Sequence, residues 1–234
     1  MVSTEAPRLV TTGNSEIDKK IGGGLPLSSL TLIEGQSDAG KSVVVQQFTW
    51  GTLHSGLRMD LYTTENTTAS LFRQMRSLAL EIDDFFLVGR LNIYPVPNSF
   101  TEEQSRRIFK LLLGHIAKSR ADVVVVDSLT AFVTHASEAE TLDFFSRAKE
   151  LCDDGRSLIV TMHSYASTEQ LLTRLRSMCD AHLRLRVEEI GTQLVKVIEV
   201  SKVRGAAKST GNIISFDVEP NLGMRIIPVT KAKA

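Results

Sequence analysis

Leu30-Thr-Leu-Ile-Glu34 followed by Gly35-Gln-Ser-Asp-Ala-Gly40-Lys41-Ser42 decides the fold. The first five residues are a short apolar run of strand type. The next eight match the G-x-x-x-x-G-K-[ST] pattern of a phosphate-binding loop. Glycines let such a backbone curl tightly, so that successive amides point inward at phosphate oxygens. A helix opening near Lys41 adds the positive end of its dipole. Lys41 is placed to reach β- and γ-phosphates as a point charge, and Ser42 to offer its hydroxyl to Mg²⁺. Gly35, Ser37, Asp38, Ala39, Gly40, Lys41 and Ser42 are therefore the candidate nucleotide ligands. Asp38 is unexpected in this company, because it sets a negative charge beside an anion. It could point to solvent or to a neighbouring subunit.

Outward from this loop the chain alternates strand and helix patterns. Residues 41–53 read as a helix, 58–63 as a strand, 68–80 as a helix and 91–96 as a strand that exits at Pro97 and Asn98. Ile108, Leu111, Leu112 and Ile116 recur at helical spacing within 102–118. Residues 122–127 (DVVVVD) contain four consecutive valines. The lack of alternation predicts burial on both faces, as in a parallel sheet covered by helices on each side. A helix over 137–152 with Ser137 as cap, an apolar strand over 157–162 and a short helix over 168–176 follow. Then the rhythm changes to two hairpins, 181–188 with 193–201 and 213–218 with 224–229. The expectation is one α/β domain with a mostly parallel central sheet and C-terminal antiparallel hairpins. Its core spans about 12–229, and only 1–7 and 231–234 read as frayed.

Composition narrows the function. The 234 residues carry 27 Lys+Arg against 27 Asp+Glu, so no global charge draws the chain to nucleic acid or anionic lipid. Hydrophobic residues make up 42%, enough for a sizeable core and too many for a disordered chain. Two cysteines, Cys152 and Cys179, fit neither a disulfide framework nor a Cys-x-x-Cys site, and point to a reducing compartment. No signal peptide and no apolar run of spanning length is expected. His54, His115, His135 and His182 share no ligand spacing. The Asn66-Thr67-Thr68 sequon is idle in a cytoplasmic chain.

Three further residues are candidates for the site. Asp127 ends the valine strand, where an acid holds Mg²⁺ through water; the alternative is a cap on the turn at Ser128. Glu65 follows the second strand and could orient or deprotonate an attacking water, or else serve as a first-turn helix acid. His163 ends the strand SLIVTM; it is either a solvated strand-end ring or a γ-phosphate sensor that reports to 164–168. Lys202 and Arg204 are ordinary surface cations or, in an assembly, residues reaching a neighbour's triphosphate. No asparagine is followed by lysine, so the guanine-reading signature is missing and ATP is favoured over GTP.

Thr12-Gly-Asn-Ser-Glu-Ile-Asp18 and Ile21-Gly-Gly-Gly-Leu-Pro26, placed before that strand and loop, resemble the start of a KaiC-type, RecA-like ATPase domain. The whole chain from about Thr12 is more closely similar to the FlaH (ArlH) family, accessory ATPases of the archaellum. Tyr62-Thr-Thr-Glu-Asn-Thr-Thr68, Val126-Asp-Ser-Leu129, Val160-Thr-Met-His163 and Ile214-Ser-Phe-Asp-Val-Glu-Pro-Asn-Leu-Gly223, running into Ile227-Pro228, carry that likeness. The resemblance implies an ATP-Mg²⁺ site on Lys41, Ser42, Asp127 and Glu65. It also implies a cytoplasmic place at the membrane-proximal base of the archaellum. The implied partners are the motor ATPase FlaI and a membrane-linked scaffold ring, with a homo-hexamer and weak or no hydrolysis. Clock-type KaiC domains carry two adjacent glutamates after the second strand, whereas Thr64 precedes a single Glu65 here. Three function classes therefore stand: an ATP-dependent assembly switch, an ATPase with genuine turnover, and a recombinase-like DNA-binding protein. The third is disfavoured by zero net charge and a short segment after His163.

Overall fold

The computed structural model describes residues 9–97, 102–191, 193–206 and 211–228. Continuous apolar runs become adjacent parallel strands. They are β3 (Leu30–Gly35), β4 (Met59–Thr63), β5 (Leu91–Pro95), β6 (Val123–Asp127) and β7 (Ser157–His163). The hairpins supply β8 (Ala181–Ile190), β9 (Gln193–Val203), β10 (Ile213–Glu219) and β11 (Gly223–Ile226). All nine form one sheet in the order β11-β10-β9-β8-β3-β7-β6-β4-β5, parallel from β8 to β5 and antiparallel from β8 to β11. A separate two-stranded ribbon joins β1 (Leu9–Val10) to β2 (Leu25–Pro26).

The valine strand explains the two layers. Val123 and Val125 face one apolar core, and Val124 and Val126 face the other. The first core is covered by α1 (Ser15–Lys20), α2 (Lys41–His54), α3 (Thr68–Ser77) and α4 (Asp83–Leu87). The second is covered by α5 (Glu102–Lys118), α6 (Thr130–Val133), α7 (Glu138–Asp153) and α8 (Glu169–Met178). Register aligns the carboxyl ends that matter: Gly35 pairs with His163, and Thr63 with Asp127. The chain leaves β3 through α2 on one face and reaches β8 through α8 on the other. The carboxyl end of β3 is thus a crevice of the kind where open α/β sheets bind ligands.

Several expectations need correction. The helix expected over 68–80 stops at Ser77, because Ala79 adopts a positive φ of 56° and the turn folds Leu78 and Leu80 into the core. The short helices α1, α4 and α6 and the β1–β2 ribbon carry too few residues to show a period. The first described strand, β1, starts at Leu9. Asn98, Val229 and the chain ends lie outside the described residues. Ser137 caps α7 as expected and forms a reciprocal capping box with Glu140.

The Thr12-Gly-Asn motif clamps the phosphate-loop helix from behind. Asp18 Oδ1 accepts from the Thr12 amide and hydroxyl at 2.9 and 2.8 Å, and Gln47 of α2 donates to the Thr12 carbonyl at 2.9 Å. A Cβ on Gly51 would lie 2.3 Å from the Gly13 nitrogen and 2.3 Å from the Thr12 carbonyl carbon, both backbone. Close approach of two backbones is therefore what this glycine supplies. Gly51→Ala should cost about 2–3 kcal/mol as overpacking against an unyielding strap. Urea titration reads this, and an unchanged midpoint would show that the strap is not held as described.

Candidate nucleotide site

Gly35 and Gly40 set the curl of the loop. A Cβ on Gly35 would lie 2.3 Å from the Leu185 carbonyl oxygen. Gly40, at φ 92°, caps α2, and a Cβ there would come 3.0 Å from the Phe216 ring. The loop is thus pressed against the C-terminal strands, with Ala39 fully buried as its inner anchor. The amides of residues 37–43 find no acceptor among the described residues, as an anion cradle at a helix start requires. Asp38 is exposed at the rim with a φ of 59°, lining the cleft rather than its floor.

Side chains complete a cleft of about 620 Å³ lined by Lys41, Ser42, Glu65 and His163, among others. Lys41 is buried. Its ammonium donates to the carbonyls of Gly35 at 3.2 Å and Gln36 at 2.6 Å, and lies 3.2 Å from His163 Nδ1. An ammonium only donates, so Nδ1 accepts and the imidazole proton sits on Nε2, 3.6 Å from Glu65 Oε1. Burial and the Lys41 charge both hold the His163 pKa below its ordinary value, consistent with that neutral ring. Burial likewise lowers the Lys41 pKa, against the opposing charges of Glu65, Asp127 and Asp38. Ser42 donates to Glu65 Oε2 at 3.1 Å, closing a chain from Lys41 through His163 and Glu65 to Ser42.

The donor set fits a magnesium-bound polyphosphate. Free amides and a buried lysine suit phosphate oxygens. The Ser42 hydroxyl and the Asp127 carboxylate are hard oxygen donors of the type Mg²⁺ prefers. Asp127 is buried at the end of β6, with β7 between it and β3, and Thr161 of β7 donates to its Oδ1 at 2.7 Å. Thr161 was not singled out by the sequence reading, although a polar residue inside SLIVTM was the available signal. Thr130 also went unnoticed; its hydroxyl accepts from the His163 amide at 2.9 Å and fixes the end of β7.

Lys202 and Arg204 are not in this cleft. Lys202 pairs with His182 and donates to the Arg176 carbonyl at 2.9 Å. Arg204 is exposed, 3.7 Å from Asp180. Both sit at the start of β8, the far end of the sheet from their own phosphate loop.

A family model described as KaiC ATPase matches residues 10–231. The chain belongs to the KaiC ATPase family. Along nearly its whole length this family member is similar to the archaeal flagellar ATP-binding protein FlaH of Sulfolobus acidocaldarius. The two are 29% identical over 229 residues, covering 97% of this chain and 100% of that one. The FlaH of Methanocaldococcus jannaschii is 29% identical over 93% of the chain. The crystal structure of the flagellar accessory protein FlaH from the same organism superposes with a TM-score of 0.80 at 28% identity, covering 96% of this chain and all of the other. A KaiC-like protein from Pyrococcus horikoshii shares the fold, with a TM-score of 0.74 at 20% identity. Among the described residues, no helix is long and apolar enough to cross a membrane.

Burial and the nearby Glu65 charge push the Asp127 pKa up to about 6, against the Thr161 hydroxyl and Lys41. Near neutral pH the carboxylate is still mostly ionised, but in a site that penalises its charge relative to water. Asp127→Asn should raise the stability of the nucleotide-free protein by on the order of 1–3 kcal/mol. The folded pKa lies above the unfolded one. The gain should then be full above about pH 6, shrink as pH falls towards the ordinary aspartate range, and vanish below it. Denaturant titrations at neutral and acid pH measure this; a variant less stable at neutral pH would contradict it.

Proposed function

We propose that this chain binds ATP with Mg²⁺ in the cleft and serves as a nucleotide-dependent assembly component of the archaellum motor. In this reading it works in the cytoplasm at the membrane-proximal base and docks onto the motor ATPase FlaI and a membrane-linked scaffold ring, with slow hydrolysis at most. The observation that carries it is the closed chain Lys41–His163–Glu65–Ser42. Each member has a second use once a triphosphate is bound. Lys41 would then hold phosphate oxygens in place of its loop carbonyls, Ser42 would hold the metal, and His163 and Glu65 would face the γ-phosphate. His163 leads directly into a 3-10 turn at Ser164–Ala166, and Glu65 precedes α3, so both can alter exposed surface. A ligand shifts such a surface only by binding its two states unequally, which the γ-phosphate contacts provide. The family assignment and the similarity to FlaH proteins known as ATP-binding support this reading. In a homo-hexamer, Lys202 and Arg204 would serve a neighbour's triphosphate, since they lie away from their own.

Genuine turnover is the second reading, favoured by one observation. The Glu65 carboxylate accepts from the Ser42 hydroxyl at 3.1 Å, at the end of the cleft where it would act as base towards an attacking water. The position before it cannot help as a second base. Thr64 is neutral, and its hydroxyl is engaged by the Ser128 amide at 3.1 Å.

Calorimetry with Mg-ATP and with FlaI, and phosphate release, separate the readings. Lys41→Ala should abolish nucleotide binding, by a hundredfold or more on the order-of-magnitude scale of lost charge-assisted bonds, and weaken FlaI binding in parallel. Glu65→Gln should still bind ATP. Unchanged FlaI affinity in Lys41→Ala with excess ATP would overturn the switch, and fast release abolished by Glu65→Gln would establish the ATPase instead.

A further inference from the structure

The cleft has two ends, and the residues assigned so far occupy one of them. His163, Asp127 and Glu65 follow β7, β6 and β4, on one side of β3 in the sheet. On the other side, past β8, the wall is made by Lys196 of β9 and Val218 of β10, with Val43 from the first turn of α2 between the two ends. Lys196 is directed over the loop. It pairs with Phe216 across the β9–β10 ladder, and its Cδ lies 3.3 Å from where a Cβ on Gly40 would sit. It is half-buried, and among the described residues its ammonium makes no hydrogen bond or ion pair. Its neighbours on the ladder are apolar: Val187 opposite on β8 and Phe216 on β10.

A half-buried ammonium without a partner, aimed into a cleft built for an anion, is an anion contact in waiting. Its place along the cleft says which part of the anion it meets. With the γ-phosphate between Lys41, Ser42, Glu65 and His163, the polyphosphate runs back across Gly40. Its α-phosphate and nucleoside must then leave past Val43 towards β9 and β10. We propose that Lys196 holds the α-phosphate of the nucleotide, with Val43 and Val218 as the apolar flank on which the nucleoside rests. This rests on the phosphate-loop reading and deepens it. The γ-end contacts distinguish ATP from ADP, whereas Lys196 touches a group common to both. It therefore sets how firmly either nucleotide is retained without biasing the choice.

Titration calorimetry of the full chain with Mg-ATP and Mg-ADP tests this, using Lys196→Met, which keeps the packed stem and removes the charge, and Lys196→Arg, which restores a cation. Lys196→Met should weaken ATP and ADP by the same factor, about tenfold or more for a lost charge-assisted bond, and Lys196→Arg should recover most of it. Wild-type affinity for ADP in Lys196→Met, or a loss confined to ATP, overturns the assignment while leaving the phosphate-loop reading intact. Wild-type protein that binds neither nucleotide overturns both.

Discussion

The structure depends on seven consecutive amides, residues 37–43, that find no acceptor among the described residues. Backbone donors in a folded protein normally find partners, and leaving them open is unfavourable unless water or a ligand takes their place. The surrounding fold makes the alternatives worse. Gly35 is seated against the Leu185 carbonyl, Gly40 against Phe216, and α2 is held from behind by the strap at Thr12 and Gly13. The loop cannot relax into a hydrogen-bonded turn without disturbing both the C-terminal strands and the helix.

The charged side chains follow the same logic. A buried lysine and a buried aspartate are expensive to hold in a protein interior unless each is satisfied. Lys41 is satisfied by loop carbonyls and the His163 ring, whereas Thr161 offsets only part of the cost of burying Asp127. These partners are neutral, so they hold the charges in place without cancelling them. What remains is a site with unspent positive charge at the loop and unspent negative charge two strands along the sheet, matched to an anion carrying a divalent cation. Lys196 on the opposite wall, without a partner among the described residues, extends the positive lining beyond the phosphate loop itself.

Much of this was legible in the chain. The strand-loop-helix around Gly35 to Ser42, the doubly buried valine strand and the switch to hairpins after residue 180 are local patterns, and each formed where expected. Asp127, Glu65 and His163 could be placed because strand ends in a parallel sheet share one edge. What could not be read depended on distant segments meeting. Gly51 looks like a weak point in a helix until Gly13 is found against it. Phe216 and Lys196 look like hairpin residues until β9 and β10 are seen to wall the loop. Thr161 is one hydroxyl in an apolar strand until Asp127 is its neighbour. The end of α3 at Ser77 depends on Leu78 and Leu80 turning into the core, a tertiary demand that overrides the helical pattern of the segment.

The central claim is that the amides of residues 37–43 are held open for the phosphates of a magnesium-bound nucleotide. Hydrogen exchange of those amides, followed with and without Mg-ATP, measures it directly. The account predicts fast exchange in the free protein and strong protection across residues 37–43 when nucleotide is added, while the clamped segment behind α2 changes little. Exchange at these amides that is already slow in the free protein, or that stays fast with saturating Mg-ATP, would contradict it.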